Sequence, residues 1–388
     1  MLKEVIKMLK KEGLISAIIG VVGLIIVIIV VVIIKNKDSF SPIKGEAVYG
    51  AIGGGKEDLL ADEEINEIFG KDYDFHLIQD SWSNGRTIID PLLREDGSKY
   101  DLVFFSDERF YNEYQTRADS SLGEAERYPF KTKEIILNTP IVLYSWDEVV
   151  DVLIKEKIVT QKDGVYYVTD MNKLIDYILE DKQWKDIGLD IYGSVNIGSV
   201  DPVTSSPGAT YYGLLLQLMT NSNVNEETFK ATLPKLKAFY KKSGYMNNAP
   251  ADLFSKFLKT GIGLEPIIVD YEKSLIDFAN KDPEGWAQVK DKVRILYPEP
   301  TIWNSHCIGA FTDAGGKLIT AFQDKTVSQK TWSRYGFRVG QTGGSYDISK
   351  IGYGKNATQI KGIPSEIRYV TKGLNIEYYD RLIEYLKN

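Results

Sequence analysis

The stretch Asp201-Pro-Val-Thr-Ser-Ser-Pro-Gly208, running into Ala209-Thr-Tyr-Tyr-Gly-Leu-Leu-Leu-Gln-Leu-Met219, decides how this chain is read. A β-rich run over residues 191–200 enters a loop of Asp, Pro, Ser and Gly, and an amphipathic helix follows at once. Thr204, Ser205 or Ser206 can cap that helix, and Pro207 suits its first turn. The first amides of a helix lack internal partners, and the macrodipole places partial positive charge there. Such a start can hold an anion or a polar ligand atom. The same pattern also describes an ordinary capped helix. What favours a functional reading is its company elsewhere in the chain.

Working outward to the N-terminus, residues 14–34 carry no charge, and Ser16 is their one polar side chain. About 21 residues at 1.5 Å each reach roughly 32 Å, enough for the hydrocarbon core of a bilayer. Lys3, Lys7, Lys10 and Lys11 precede the run, while Lys35 and Lys37 follow it closely. The positive-inside bias then predicts a single-pass anchor in the cell membrane, with a cytoplasmic N-terminus and an extracellular body. No small-residue cleavage pattern follows, so the reading is an uncleaved signal-anchor. Residues 35–43 form a short polar linker.

Of the 388 residues, those beyond the apolar run and its linker are enough for two lobes, and a sequence with 12% aromatic residues has ample core material. A net charge of −7 argues against nucleic acid as the main partner. It leaves room for a small anionic solute, which needs only a few local donors. The lone Cys307 excludes an intrachain disulfide and a multi-cysteine metal site. His306 and Cys307 would point to opposite faces of a strand, so both read as structural. No catalytic set, metal site or cofactor is assigned.

Strand and helix signals alternate along the body. Residues 46–52 read as a strand broken by Gly53-Gly-Gly55, and residues 56–69 follow with helical spacing. Strands are expected at 73–78 and 101–105, the first leading into Asp80-Ser-Trp-Ser-Asn-Gly-Arg86 and the second into Ser106-Asp107. This alternation predicts an α/β fold with mixed, mainly parallel sheets. Residues 135–144 and 293–301 read as crossovers between lobes. Lobe I is then expected over 44–140 plus 307–388, and lobe II over 141–306.

Several of these pieces together resemble the type 2 periplasmic-binding-protein family, the solute receptors of ABC importers. They are Tyr100-Asp-Leu-Val-Phe104, Thr139-Pro-Ile-Val142, Trp184-Lys-Asp-Ile187 and Ser199-Val-Asp-Pro202 with Pro207-Gly208. Tyr271-Glu272, Leu296-Tyr-Pro-Glu-Pro-Thr301 and Trp332-Ser-Arg-Tyr-Gly-Phe-Arg338 complete the series. The Asp-Pro…Pro-Gly element looks most like members that bind molybdate, tungstate and related oxyanions. The resemblance implies two lobes closing on a small polar or anionic solute, and an ABC importer permease as partner. Ligand contacts are expected from Ser81, Ser83, Asn84, Ser106, Thr204, Ser205, Ser206, Gly208 and Tyr271. Gly208 would allow close backbone approach, and Arg86 or Lys56 could supply a positive charge. One departure stands out: Gly53-Gly-Gly-Lys-Glu57 occupies the place where oxyanion binders often present serines.

Two other classes compete. Gly50-Ala-Ile-Gly-Gly-Gly-Lys56 has the spacing of a phosphate-binding loop, but Glu57 replaces the Ser or Thr that would hold Mg²⁺. A membrane-anchored enzyme, adhesion module or sensor is the second alternative. No spacing marks a nucleophile with its base, or a catalytic carboxylate pair.

Overall fold

A computed structural model describes residues 45–82, 86–93, 99–120, 130–244, 246, 249–340 and 360–388. The expected membrane span at 14–34 lies outside the described residues. Among the described residues no helix is long and apolar enough to cross a membrane.

In the first sheet, β1 (Glu46–Gly53) lies parallel to β2 (Phe75–Trp82) and β3 (Leu102–Phe105). Side chains of β1 and β3 alternate between two buried layers. Val48, Ile52, Leu102 and Phe104 face one, and Ala51, Val103 and Phe105 face the other. A strand covered on both faces reads as a continuous apolar run, which is why Leu102-Val-Phe-Phe105 is legible as sequence.

The longest strand, β4 (Thr132–Trp146), joins two sheets. Its first part pairs antiparallel with β9 (Trp303–Ala310), ending at Pro140 opposite Trp303. From Ile141 onward it pairs with β7 (Ile267–Tyr271) and β8 (Val293–Pro298), which form a second sheet with β5 (Val159–Lys162) and β6 (Val165–Val168). The chain returns to the first sheet through residues 299–302, then through β9 to β10 (Arg338–Val339) beside β4. Among the described residues three ladders are parallel and six antiparallel. The expectation of mainly parallel sheets is therefore corrected. The crossing strands β4 and β9 run against most of their neighbours, and no local sequence signal carries strand direction.

Two local readings also change. The helix expected over 56–69 divides into Glu57–Leu60 and Glu63–Asp72, because Asp62 caps the second by accepting from the Ile65 amide at 3.0 Å. Residues 191–200 form no named strand. Ser194 makes an isolated bridge to Gln183, and Gly198 bridges Ile268, donating to the Ile267 carbonyl at 2.8 Å and accepting from the Val269 amide at 2.9 Å.

The boundary expected for the lobes needs correction at the C-terminus. The helices Asp313–Gln323 and Lys325–Tyr335 pack on the first sheet through Leu318, Phe322 and Val327. Residues 360–388 instead join the core of the second lobe through Leu374, Tyr379, Leu382 and Leu386. The final helix, Ile376–Lys387, lies on the helices Ser206–Met219 and Glu226–Lys242. Its amphipathic spacing demands a partner face but does not say which.

Where β10 meets the second lobe, Arg338 makes two 2.7 Å contacts to the Glu272 carboxylate, and Tyr297 donates to the same group at 2.7 Å. Both charged residues are almost fully buried.

Candidate functional site

The carboxyl ends of β1, β3 and β7 open onto a cleft of about 890 Å³ between the lobes. Open α/β sheets take ligands at such strand ends. Gly54, Gly55 and Glu57 follow β1 on one wall, with Ser106 after β3 and Asn304 and His306 from β9. Thr204, Ser205, Ser206 and Pro207 stand on the other, with Asp270 and Tyr271 from the end of β7. Phe254, Leu258 and Phe278 add apolar surface from the helices Pro250–Thr260 and Glu272–Lys281.

The opening stretch of the sequence builds one wall as follows. Asp201 folds the loop by accepting from the Val203 amide through Oδ1 and from the Ser205 amide through its carbonyl, both at 2.9 Å. The helix then starts with Ser205 at the N-cap in an extended conformation and Pro207 in the first turn. Ser205 makes no side-chain capping bond, so its hydroxyl is not committed to the helix end.

Five expected contacts therefore line one cleft: Ser106, Thr204, Ser205, Ser206 and Tyr271. The others go elsewhere. Gly208 is buried against its own loop, where an added Cβ would stand 2.5 Å from the Val200 carbonyl oxygen and 2.8 Å from the Asp201 carbonyl carbon. Its small size serves the close packing of helix on loop, and it does not line the cleft. Ser81 is exposed on β2, the outermost strand of its sheet, and lies outside the cleft lining. Arg86 turns from the cleft to Asp380 at 2.8 Å and Glu113 at 2.8 Å. Ser83 and Asn84 lie outside the described residues.

Lys56 also departs from expectation. Its side chain is buried, with Nζ donating to the Gly53 carbonyl and, at 3.4 Å, to the Gly54 carbonyl. The ammonium stands 4.7 Å from the centre of the Phe104 ring. Burial lowers its pKa to about 7, against the opposing pull of Glu57. A phosphate-binding loop would need that amine turned toward a ligand. Here the Glu57 carboxylate itself accepts from the Gly55 amide at 2.9 Å.

Three buried polar groups on the cleft, Asp270, Asn304 and His306, were missed as site residues. Asp270 is buried; its Oδ1 accepts from the Tyr271 amide at 2.7 Å, and its Oδ2 has no hydrogen bond of good geometry, although the Ser274 hydroxyl acts on the carboxylate. Burial raises its pKa to about 6 despite the Tyr271 amide, Ser274 and Lys273. His306 is buried, with Nε2 3.1 Å from the Asn304 amide nitrogen. Burial, reinforced by Lys56 and Lys273, holds its pKa well below the ordinary imidazole range. The Nδ1 of this ring has no hydrogen-bond partner. Only the topology brings Asp270 and His306 to one cleft. Among the described residues no group of three His, Cys, Asp or Glu side chains could hold a metal.

Ties across the lobes surround this cleft. Lys281 contacts Asp58 at 2.5 Å. Arg109, held by Asp107 at 2.6 Å, donates to Thr210 Oγ1 at 2.9 Å and stacks 3.9 Å from the Tyr379 ring centre.

Two α/β lobes, joined by crossing strands and opening a cleft at their strand ends, are the fold of extracellular solute-binding proteins. Solved structures share it across most of their length. The substrate-binding protein of an ABC transporter from Agrobacterium tumefaciens matches with a TM-score of 0.53 at 15% identity, over 89% of this chain and 95% of its own. Apo ferric ion-binding protein A from Pasteurella haemolytica matches at 0.55 with 10% identity, over 88% and 96%. The ferric binding protein from Campylobacter jejuni matches at 0.54 with 12% identity, over 88% and 97%. At these identities the likeness shows the fold alone. No family model and no curated protein matches the sequence.

Proposed function

We propose that this protein is an extracellular solute-binding component of an ABC importer, tethered to the membrane by residues 14–34. It captures a small polar solute between its lobes and delivers it to a permease. The observation that carries this reading is the convergence in one interlobe cleft of Ser106 and the loop after β1 with Thr204, Ser205, Ser206 and Tyr271. The role is binding rather than catalysis; the fold neighbours named above are binding proteins. An anionic solute would meet the Ser206 helix start. It would find the opposite Gly55 amide already occupied by Glu57.

A thermal-shift screen of the full chain against oxyanions, sugars, amino acids and metal ions tests the reading. A ligand at 100 times its dissociation constant should stabilise the protein by about 2.7 kcal/mol. In calorimetry, Ser206→Ala should then weaken that ligand by about 0.5–1.5 kcal/mol, the net worth of one hydrogen bond. Unchanged affinity in that variant would remove the Ser206 helix start from the site.

A further inference from the structure

Asp270 stands at the cleft edge of β7 and is 5% exposed. One carboxylate oxygen accepts from the Tyr271 amide; the other is buried with no hydrogen bond of good geometry, although the Ser274 hydroxyl and the more distant charge of Lys273 both favour the ionised carboxylate. A buried carboxylate in this condition is costly until a donor or a cation completes it. The other acidic groups of the lining are engaged. Glu57 takes the Gly55 amide, Asp277 takes Lys281 at 2.8 Å, and Asp282 caps Gly285 at 2.8 Å. Of the lysines in the lining, Lys281 is shared between Asp277 and Asp58, Lys259 is exposed, and Lys273 lies 5.0 Å over the Phe337 ring, favouring the Asp270 charge without forming an ion pair with it.

The rest of the cleft suits an organic molecule. Phe254 and Phe278 meet edge to face at 5.9 Å, and Leu258 lines the same wall. A space of about 890 Å³ falls within the range of organic-ligand pockets, roughly 300–1,000 Å³, and is far larger than one small inorganic ion.

We infer that the solute is an organic ammonium ion, its charged head received by Asp270 and its carbon skeleton lying on Phe254, Leu258 and Phe278. This rests on the reading of the cleft as the solute site. The rise of the Asp270 pKa to about 6 agrees with a carboxylate awaiting its cation.

The test is calorimetry on the full chain with ethanolamine, putrescine and phenethylamine. Each is paired with its hydroxyl counterpart: ethylene glycol, 1,4-butanediol and 2-phenylethanol. Sulfate and glucose complete the set. At least one amine should bind on the order of tenfold more tightly than its hydroxyl counterpart, a gap of about 1.4 kcal/mol. Asp270→Asn keeps the oxygen that receives the Tyr271 amide while removing the charge. It should weaken that amine by on the order of tenfold at an unreduced melting temperature. Equal binding of amine and hydroxyl counterpart, or an amine affinity unmoved in Asp270→Asn, overturns the inference. Binding of sulfate or glucose without any amine overturns it and leaves the solute-binding reading standing. Silence from all three classes counts against both.

Discussion

Lys56 shows how little a residue's type says about its task. By sequence it follows three glycines and offers a positive charge to a ligand; in the fold it turns inward onto the carbonyls of Gly53 and Gly54. Its pKa falls from 10.5 in the open chain to about 7 in the folded one, through burial first, with Glu57 and Cys307 opposing and Lys273 assisting. The unfolded chain therefore binds more protons than the native state between these values. Stability from this group is present above 10.5 and is lost as pH falls toward 7. Between pH 7 and 9, Lys56→Met should flatten the rise of unfolding free energy by up to about 1.4 kcal/mol per pH unit. Urea titrations of both proteins across that window measure it. Parallel pH profiles would mean that the buried amine keeps its proton.

At the scale of elements, the C-terminal helix matters most. Ile376–Lys387 presents Tyr379, Leu382 and Leu386 at helical spacing, all three buried in the core of the second lobe. Tyr379 fits against Gly213, where an added Cβ would stand 2.5 Å from its hydroxyl oxygen. The same ring receives Arg109 from the first lobe, and Asp380 receives Arg86. One helix is thus packed into one lobe and tied by charge to the other. Leu382 is fully buried, so Leu382→Ala should cost about 2–5 kcal/mol, the usual range for a buried leucine leaving a cavity. Equilibrium denaturation of the protein reads the loss. A change below about 0.5 kcal/mol, the level of ordinary surface substitutions, would mean that the helix does not stay docked in solution.

Across the whole molecule, β4 changes sheets between Pro140 and Ile141, and residues 299–302 make the return. The C-terminal segment comes back to this joint: Thr371 donates to the Thr301 carbonyl at 2.8 Å, and Thr301 to that of Tyr369 at 3.0 Å. Any hinge motion between the lobes would pass through these few strands, and would also work against the buried Arg338–Glu272 pair. The proposed anchor at 14–34 would present this assembly outside the cell. Protease added to wall-stripped cells should then digest the body while the membrane stays intact. Digestion only after lysis would place the body inside and end the importer reading.

Much of this was legible in local sequence. The apolar run Leu102-Val-Phe-Phe105, the glycine break after β1, the helix start at Ser205–Pro207 and the crossover containing Pro140 all announce themselves through neighbours along the chain. Side-chain periodicity and turn chemistry are short-range physics, and they place Thr204, Ser205, Ser206, Ser106 and Tyr271 at the ends of elements. Strand direction, the lobe that the last helix joins, and the inward turn of Lys56 are not short-range. They depend on which surfaces meet across hundreds of residues. Ser81 and Gly208 carry the right chemistry for a site. One is left on an edge strand and the other is pressed against its own loop. Asp270 ends the same apolar run that makes Tyr271 legible, whereas His306 carries no local signal of such a place; the two become residues of one cleft because β7 and β9 border the same opening. Sequence determined the elements and their polar ends; packing between distant segments alone decided which ends face one another, because burial is a property of the assembled molecule.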